Sequence, residues 1–391
     1  MKNLRLITYL VFVALLISCS LKKKEKVFSV KNSLDINRSF ETIEIERGFL
    51  NVTNFSSVGI KNLKTGAIEV TQLVDIDGDG NIDQLLFQPQ VAANSEIDFQ
   101  FVNITEAERP KAQTLCYSRF VPERTDDYTW ENNKVAFRVY GPIAQKMVED
   151  GISGGTLSSG VDAWLKRVEY PIINKWYKKY TDGTGSYHQD TGEGLDDFHV
   201  GVSRGIGGIA VKKNDTYYFS KNYTKWRTIT NGPIRTSFYL EYEDWDASGK
   251  KIKESKTISL DLGNNFSKFS TNIEGNNQIS VGLTLHKNKG TITNKINDGW
   301  LSHWEPHTDS EIGSAIITAK NTITNYEKVD SEIEDLNNVY VQLNVKNNQV
   351  IYYAGFGWKK SKQFNSKEDW ENYVAKFSLQ INNPLEVKII Q

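Results

Sequence analysis

The sequence predicts an all-β fold, an antiparallel two-sheet β-sandwich with a small N-terminal β unit and a few short helices. Three observations lead there. From Thr114 onward, short runs that alternate or are rich in β-branched and aromatic residues follow one another at close spacing. No helix–strand rhythm repeats between them, which argues against a barrel of βα units. Aromatic residues are abundant, with 9 Trp, 18 Tyr and 18 Phe, as suits a core built from sheets.

The chain begins with Lys2 and Arg5 ahead of an apolar run from Leu6 to Ile17. A dozen apolar residues are too few for a permanent membrane helix but fit a secretory signal. Leu16-Ile17-Ser18-Cys19 closes the run like a bacterial lipobox, in which the cysteine becomes the lipidated first residue. Residues 1–19 are therefore expected to be a lipoprotein signal peptide, with Cys19 as the membrane tether. Residues 20–38 would be a linker, basic at Lys22, Lys23 and Lys24. The expected location is the cell envelope, on the periplasmic side. With Cys19 lipidated, Cys116 has no partner for an intrachain disulfide, and its neighbours Leu115 and Tyr117 mark it as a buried strand residue.

Residues 39–110 read as the small β unit, with alternation at 42–46 and 96–101. Between these lies Asp75-Ile-Asp77-Gly-Asp79-Gly80-Asn81-Ile82-Asp83. Asp at positions 1, 3, 5 and 9 with Gly at 6 copies the front of a calcium loop, but position 12 is Leu86 where the bidentate Glu belongs. The flanks look like strands. Asp75, Asp77, Asp79 and Asp83 thus form either a structural Ca²⁺ site or an Asp/Gly hairpin turn that binds nothing. No cofactor is expected to be needed for chemistry.

Residues 111–391 are expected to form the catalytic sandwich. Strands are placed at 135–140, 208–211, 216–219, 236–242, 256–262 and 339–345. Two helices interrupt them. Val161, Trp164, Leu165 and Val168 fall at helical spacing until Pro171 ends or bends the helix. Ser366-Lys-Glu-Asp369 caps a second helix carrying Trp370, Tyr373, Val374 and Phe377 as a core-facing stripe.

The densest chemistry lies in Tyr187–Gly208, which holds two of the five histidines, four acids, one arginine and six glycines. Imidazoles and carboxylates move protons, a guanidinium holds an anion, and glycines admit close backbone approach. Gly205-Ile-Gly207-Gly208 matches no phosphate-loop spacing, so no nucleotide is expected. A net charge of −1 is no footprint for nucleic acid. Lys166 and Arg167, just ahead of Pro171, are either an anion clamp or a solvated face. His303-Trp-Glu-Pro-His307 is rejected as a zinc helix because Pro306 breaks the turn. His286 is left undecided between a cleft and water.

Several motifs carry a resemblance across nearly all of the chain after the signal. They are Arg119-Phe-Val-Pro-Glu-Arg124 with Asp126-Asp127 and Trp130-Glu131-Asn132, then Ala136–Pro142, Ser159–Trp164, and Tyr187-His188 with Gly192-Glu193-Gly194. Asn231–Arg235 and Tyr353–Trp358 complete the set. The chain resembles a bacterial polysaccharide-utilisation family long catalogued as a domain of unknown function, and in particular the oligosaccharide dehydratase of ulvan breakdown. The resemblance implies a sandwich, in its larger form a mutarotase-like super-sandwich. It implies an anionic substrate, a glucuronic or iduronic acid at the non-reducing end of a sulfated oligosaccharide. Water would leave to give a 4,5-unsaturated uronate.

The resemblance assigns no catalytic set, so roles follow from the reaction. A base must take the C5 proton, a cation must hold the carboxylate, and an acid must protonate the departing C4 hydroxyl. His188 is the expected base and His199 its substitute. Tyr187 or Glu193 is the acid, the latter only if burial raises its pKa. Arg204 is the expected clamp, seconded by Lys166 or Arg124. Trp130 and Trp164 are expected to stack on sugars. The competing readings are a polysaccharide lyase, a glycoside hydrolase using two of Asp190, Glu193, Asp196 and Asp197, and a non-catalytic glycan-binding lipoprotein.

Overall fold

A computed structural model describes residues 26–50 and 55–390. The signal segment, Cys19 and the three linker lysines lie outside the described residues. Among those described, no helix is long and apolar enough to cross a membrane.

Sheets dominate, and every strand ladder is antiparallel. The largest sheet has nine strands. Its path runs through Tyr223–Thr230, Arg235–Tyr242, Lys251–Asp261, Phe266–Glu274, Gln349–Trp358, Ser310–Ile317, Trp300–His307 and Thr291–Lys295. Two five-stranded sheets oppose it. One is centred on Gln278–Thr284 with Ile206–Lys213 beside it, and the other on Ala136–Val139 between Asp127–Glu131 and Asp162–Lys166. A single parallel bridge from Val161 to Gly205 joins the two. All three sheets share one apolar interior. In it Trp130 stacks on Phe137 at 5.3 Å, Phe137 meets Phe356 at 5.2 Å and Tyr128 lies 4.2 Å from Phe238. Each fully buried side chain of this size contributes about 1.5–3 kcal/mol, so the sandwich holds without disulfides. Cys116 is buried and its backbone bridges Gly232.

The N-terminal unit is a second, smaller sandwich with its own core around Phe28, Phe87 and Phe99. Its four-stranded sheet includes Val27–Asn32, inside the stretch expected as linker, and the C-terminal strand Glu386–Ile389. Residues 28–31 and 386–389, far apart in sequence, are thus stitched together.

The expected helix at 161–168 is a strand, Asp162–Lys166, with all five residues buried. Ala163 and Leu165 face the interior, while Trp164 packs on the outer side beneath the helix Ile173–Thr181. A strand covered on both faces shows no alternation, and its apolar run imitates a helical stripe. Pro171 precedes that helix instead of ending one. The second helix forms as read, over Lys367–Asn382, and the Ser366 hydroxyl accepts the Asp369 N–H at 3.1 Å. Its stripe packs on Phe266, Trp300 and Trp304, on the outer face of the large sheet.

Candidate active site

The site grows from a charge buried in a strand. Arg138 sits between Phe137 and Val139, whose side chains enter the interior, so alternation sends it to the outer face. There it meets Asp162, its cross-strand partner. Nε and Nη2 donate to Asp162 Oδ2 at 2.9 and 2.6 Å, and Nη2 donates to Asp196 Oδ2 at 2.9 Å. Asp127 Oδ2 lies 3.7 Å from Nη1 and accepts the Tyr177 hydroxyl at 3.0 Å. Three buried carboxylates thus surround one guanidinium. Burial pushes Asp127 up to about 6 against the pull of Arg138 and Arg124. Burial, then the neighbouring Asp196, also raises Asp162. Burial raises Asp196 as well, so all three carboxyls sit above their usual range despite the shared guanidinium.

Over this cluster lies an aromatic lid. Trp164 packs against Trp176 at 5.4 Å and Tyr187 at 5.1 Å. The Tyr187 hydroxyl accepts from Arg124 Nε at 3.2 Å, and the Arg124 guanidinium stands 5.6 Å from the ring of Tyr180. His188 lies against Tyr187 with ring centres 4.5 Å apart. Its Nδ1 is 2.6 Å from the Asp196 carbonyl oxygen. A carbonyl only accepts, so Nδ1 carries the hydrogen, and in the neutral ring the lone pair is on Nε2. The side chain is 54% exposed. Arg124, Tyr187 and His188 therefore form one row: a half-buried cation, a phenol whose ring is buried and which burial keeps protonated, and an imidazole at the surface.

The next residues enter a second polar cluster. Asp197 accepts from His307 Nε2 at 3.0 Å and from the Thr308 hydroxyl at 2.7 Å. Phe198 stands edge-on to His286 at 4.7 Å. His286 faces the Glu305 carboxylate through Nδ1 and the His199 carbonyl through Nε2, so both nitrogens donate and the ring is an imidazolium. Burial opposes that charge, and Glu305 outweighs it, raising the His286 pKa. Burial lowers His303 and keeps it neutral. His303, Glu305 and His307 share one face of the strand Trp300–His307, not a turn of helix.

Several expected site residues lie elsewhere. Arg204 is fully buried: Nη1 bonds Ser159 Oγ at 2.9 Å, Nη2 bonds the Val202 carbonyl at 2.9 Å, and its guanidinium lies 3.8 Å from the ring of Phe219. It shares no partner with His188 and is no clamp for a substrate on His188. Lys166 is also buried, its ammonium spent on Glu131 at 2.7 Å and on the carbonyls of Asn132 and Tyr170 at 2.8 and 2.9 Å. Trp130 and Trp164 have no exposed face and cannot stack on a sugar. Burial pushes Glu193 up, but hydrogen bonds from Lys175, Tyr170 and Trp176 together take it below its usual range, so it is a carboxylate and no acid. His199 is exposed and paired with Asp335 at 2.8 Å. The four acids of this segment are each already held. Asp190 is capped by Gly192 and Gly194, Glu193 by Lys175, Asp196 by Arg138 and Asp197 by His307.

Sequence reasoning missed Arg138, Asp127 and Asp162 as a unit. The available signal was a charge in the middle of Val135–Tyr140, an otherwise apolar strand.

In the calcium-like loop, Asp75, Asp77 and Asp83 converge with ligand oxygens within 4.8 Å of one another. Asp79 turns away to Asn81, and Asp75 already accepts the Gly78 and Gly80 N–H groups at 2.7 and 2.8 Å. Leu86, at the twelfth position, is fully buried. Three ligands fit a hard cation, and the fourth and the bidentate one do not.

Comparison with known proteins completes the description. A protein of Formosa agariphila described as uncharacterized protein P7 is 53% identical over 394 residues, covering the whole of both chains. Among solved structures, a protein in glycosyl hydrolase family 38 from Enterococcus faecalis aligns over 95% of this chain and 48% of its own, at 11% identity and a TM-score of 0.50. An α-mannosidase from Enterococcus faecalis V583 aligns at 11% identity and a TM-score of 0.48. The chain spans about half the length of those two structures. At such identity the first likeness is one of fold, and it agrees with the layered sheets described above. The family model for the domain of unknown function DUF4861 matches residues 30–387, so the chain belongs to that family.

Proposed function

We propose that the protein is an oligosaccharide dehydratase that eliminates water across C4 and C5 of a uronic acid at the non-reducing end of an anionic, ulvan-type oligosaccharide. One observation carries this reading: the row Arg124–Tyr187–His188, in which the imidazole keeps a lone pair on its half-exposed side. Arg124 holds the uronate carboxylate. Its guanidinium has no carboxylate hydrogen bond among the described residues, and it replaces Arg204 in that role. His188 Nε2 takes the C5 proton, and the C5–H electron pair becomes the C4–C5 double bond. The C4–O bond breaks, and the Tyr187 hydroxyl protonates the departing oxygen to release water. Arg124, donating to the Tyr187 oxygen, steadies the phenolate until His188 returns its proton through solvent. A fold shared with a glycoside hydrolase family protein supports a carbohydrate ligand, and the motif resemblance supports the uronate.

The lipid anchor on Cys19 and a periplasmic location belong to the same proposal, as does a structural Ca²⁺ on Asp75, Asp77 and Asp83, which share no residue with the row. The test is mass spectrometry of a defined uronate-ended oligosaccharide, with ultraviolet absorbance of the conjugated product. Loss of one water in the wild type and none in His188→Ala is the expected result. Undiminished turnover in a folded His188→Ala protein removes His188 from the mechanism, and an unchanged substrate mass removes the activity.

A further inference from the structure

The loop at residues 38–42 is built more firmly than a connection requires. Arg38 is fully buried, grips the Glu41 carboxylate and donates to the Asn383 carbonyl at 2.7 Å. Glu41 in turn accepts the Leu385 N–H at 3.1 Å. This frame holds Phe40 at φ 56, a left-handed backbone that a bulky residue adopts only at a cost. The Phe40 carbonyl accepts from Asn264 Nδ2 at 3.1 Å. Its ring sits so close over Gly263 that any Cβ there would collide with it. Even so, 45% of the residue remains exposed. Strain is being spent to keep an aromatic ring in water.

Two clefts meet at that ring, and both are walled by Ser39 and Phe40. One, of about 260 Å³, lies between the loop, the outer face of the large sheet and the C-terminal helix, with Arg235, Asp261, Lys268 and Tyr353 in its walls. The other, of about 280 Å³, is mostly apolar, with Leu115, Pro233 and Ile234 beside Gln88. Each lies just below the usual range for small-ligand pockets, a size for one ring and not for a chain.

We propose that Phe40 is the stacking platform of a second, non-catalytic glycan site, holding one sugar of an oligosaccharide against the side of the ring turned away from Gly263. The C–H face of a pyranose suits an exposed aromatic face. In the polar cleft, Arg235 donates from Nε and Nη2 to Asp261 at 2.6 and 2.8 Å and from Nη1 to Glu44 at 2.6 Å, a rigid planar network that gives the cleft a fixed polar wall. Lys268 makes no ion pair among the described residues and is available to a hydroxyl or an acidic group. The site shares no residue with Arg124, Tyr187 or His188. Its carbohydrate class rests on the function proposed above.

The test is native mass spectrometry and calorimetry of the full chain with the same uronate-ended oligosaccharide, in a His188→Ala background that prevents turnover. Two molecules per chain are expected. Phe40→Gly removes the ring and suits the positive φ, so it should fold. It should lose one of the two, with affinity at that site down about tenfold or more, and Phe40→Trp should retain it. In the otherwise wild-type enzyme, Phe40→Gly should leave turnover of a short substrate unchanged. Binding of two molecules by Phe40→Gly, or of only one by the parent, overturns the second site. Phe40-dependent binding without any dehydration by the wild type would defeat the catalytic reading alone, and dehydration with Phe40-independent binding would defeat this one alone.

Discussion

The two halves of Tyr187–Gly208 come from one continuous stretch and do opposite work. Residues 187–199 run along the outside of one sheet and carry titratable groups: His188 Nδ1 reaches the Asp196 carbonyl, and Asp196 and Asp197 reach Arg138 and His307. Residues 200–208 dive between two sheets and hold them together. Gly205, at φ 56, bridges Val161, and a Cβ there would strike the Val161 carbonyl. Arg204 ties this joint to Ser159. The glycines that resemble a ligand cradle serve a sheet junction, and the arginine that resembles a clamp serves it too. Composition located the chemistry, and the face on which each side chain lands assigned it.

The sharpest way to break this contrast is at its foundation. Arg138→Met should leave three buried carboxylates without their cation, at about 3–5 kcal/mol. The expected result is insoluble protein or a Tm lower by about 4–7 °C. An unchanged melting curve would mean that the cluster is not charged as described. Next in size, His188→Ala should cut turnover about 10²–10⁴-fold with Tm preserved. Arg204→Lys should do the reverse, lowering Tm by a few degrees while the folded protein keeps its kcat. A steep loss of kcat in the lysine variant would return Arg204 to the site.

A pH series sharpens the outer cluster. Asp127 holds its proton more tightly folded than unfolded, with a pKa raised to about 6 from 3.8. Its favourable share is therefore complete below about 4 and is lost as pH rises through about 6. The groups facing it are Arg138, Arg124, Tyr177 and Asp162. Asp127→Asn should fare progressively better relative to wild type between about pH 4 and 6.5 in thermal melts, with the difference level above about pH 7. A constant difference in Tm would contradict the raised value. The smallest effect is expected at the calcium-like loop, where Asp77→Asn or chelation should leave turnover untouched and lower Tm by about 1 °C, as loss of a weakly held three-carboxylate cation would.

Much of the scaffold was legible in advance. The strands at 236–242 and 256–262 alternate because one face is buried and the other is less so. The helix after Ser366 announced itself through its cap and its stripe. The stretch 161–168 misled because a strand covered on both faces loses the period that identifies it. In the candidate site, Tyr187 and His188 were found because neighbours in sequence stay neighbours in space. Their link to Arg124 spans 63 residues and leaves no trace in local spacing.

By itself the sequence determined the class of fold, the capped helix and the stretch in which proton-handling groups gather, since each depends on local periodicity, turn chemistry or composition. Only the tertiary structure decided which arginine reaches Tyr187, which tryptophans are sealed in the core and which nitrogen of His188 meets the Asp196 carbonyl. Those outcomes depend on how three sheets meet across long separations in the chain, and on burial, which no single stretch of residues can report.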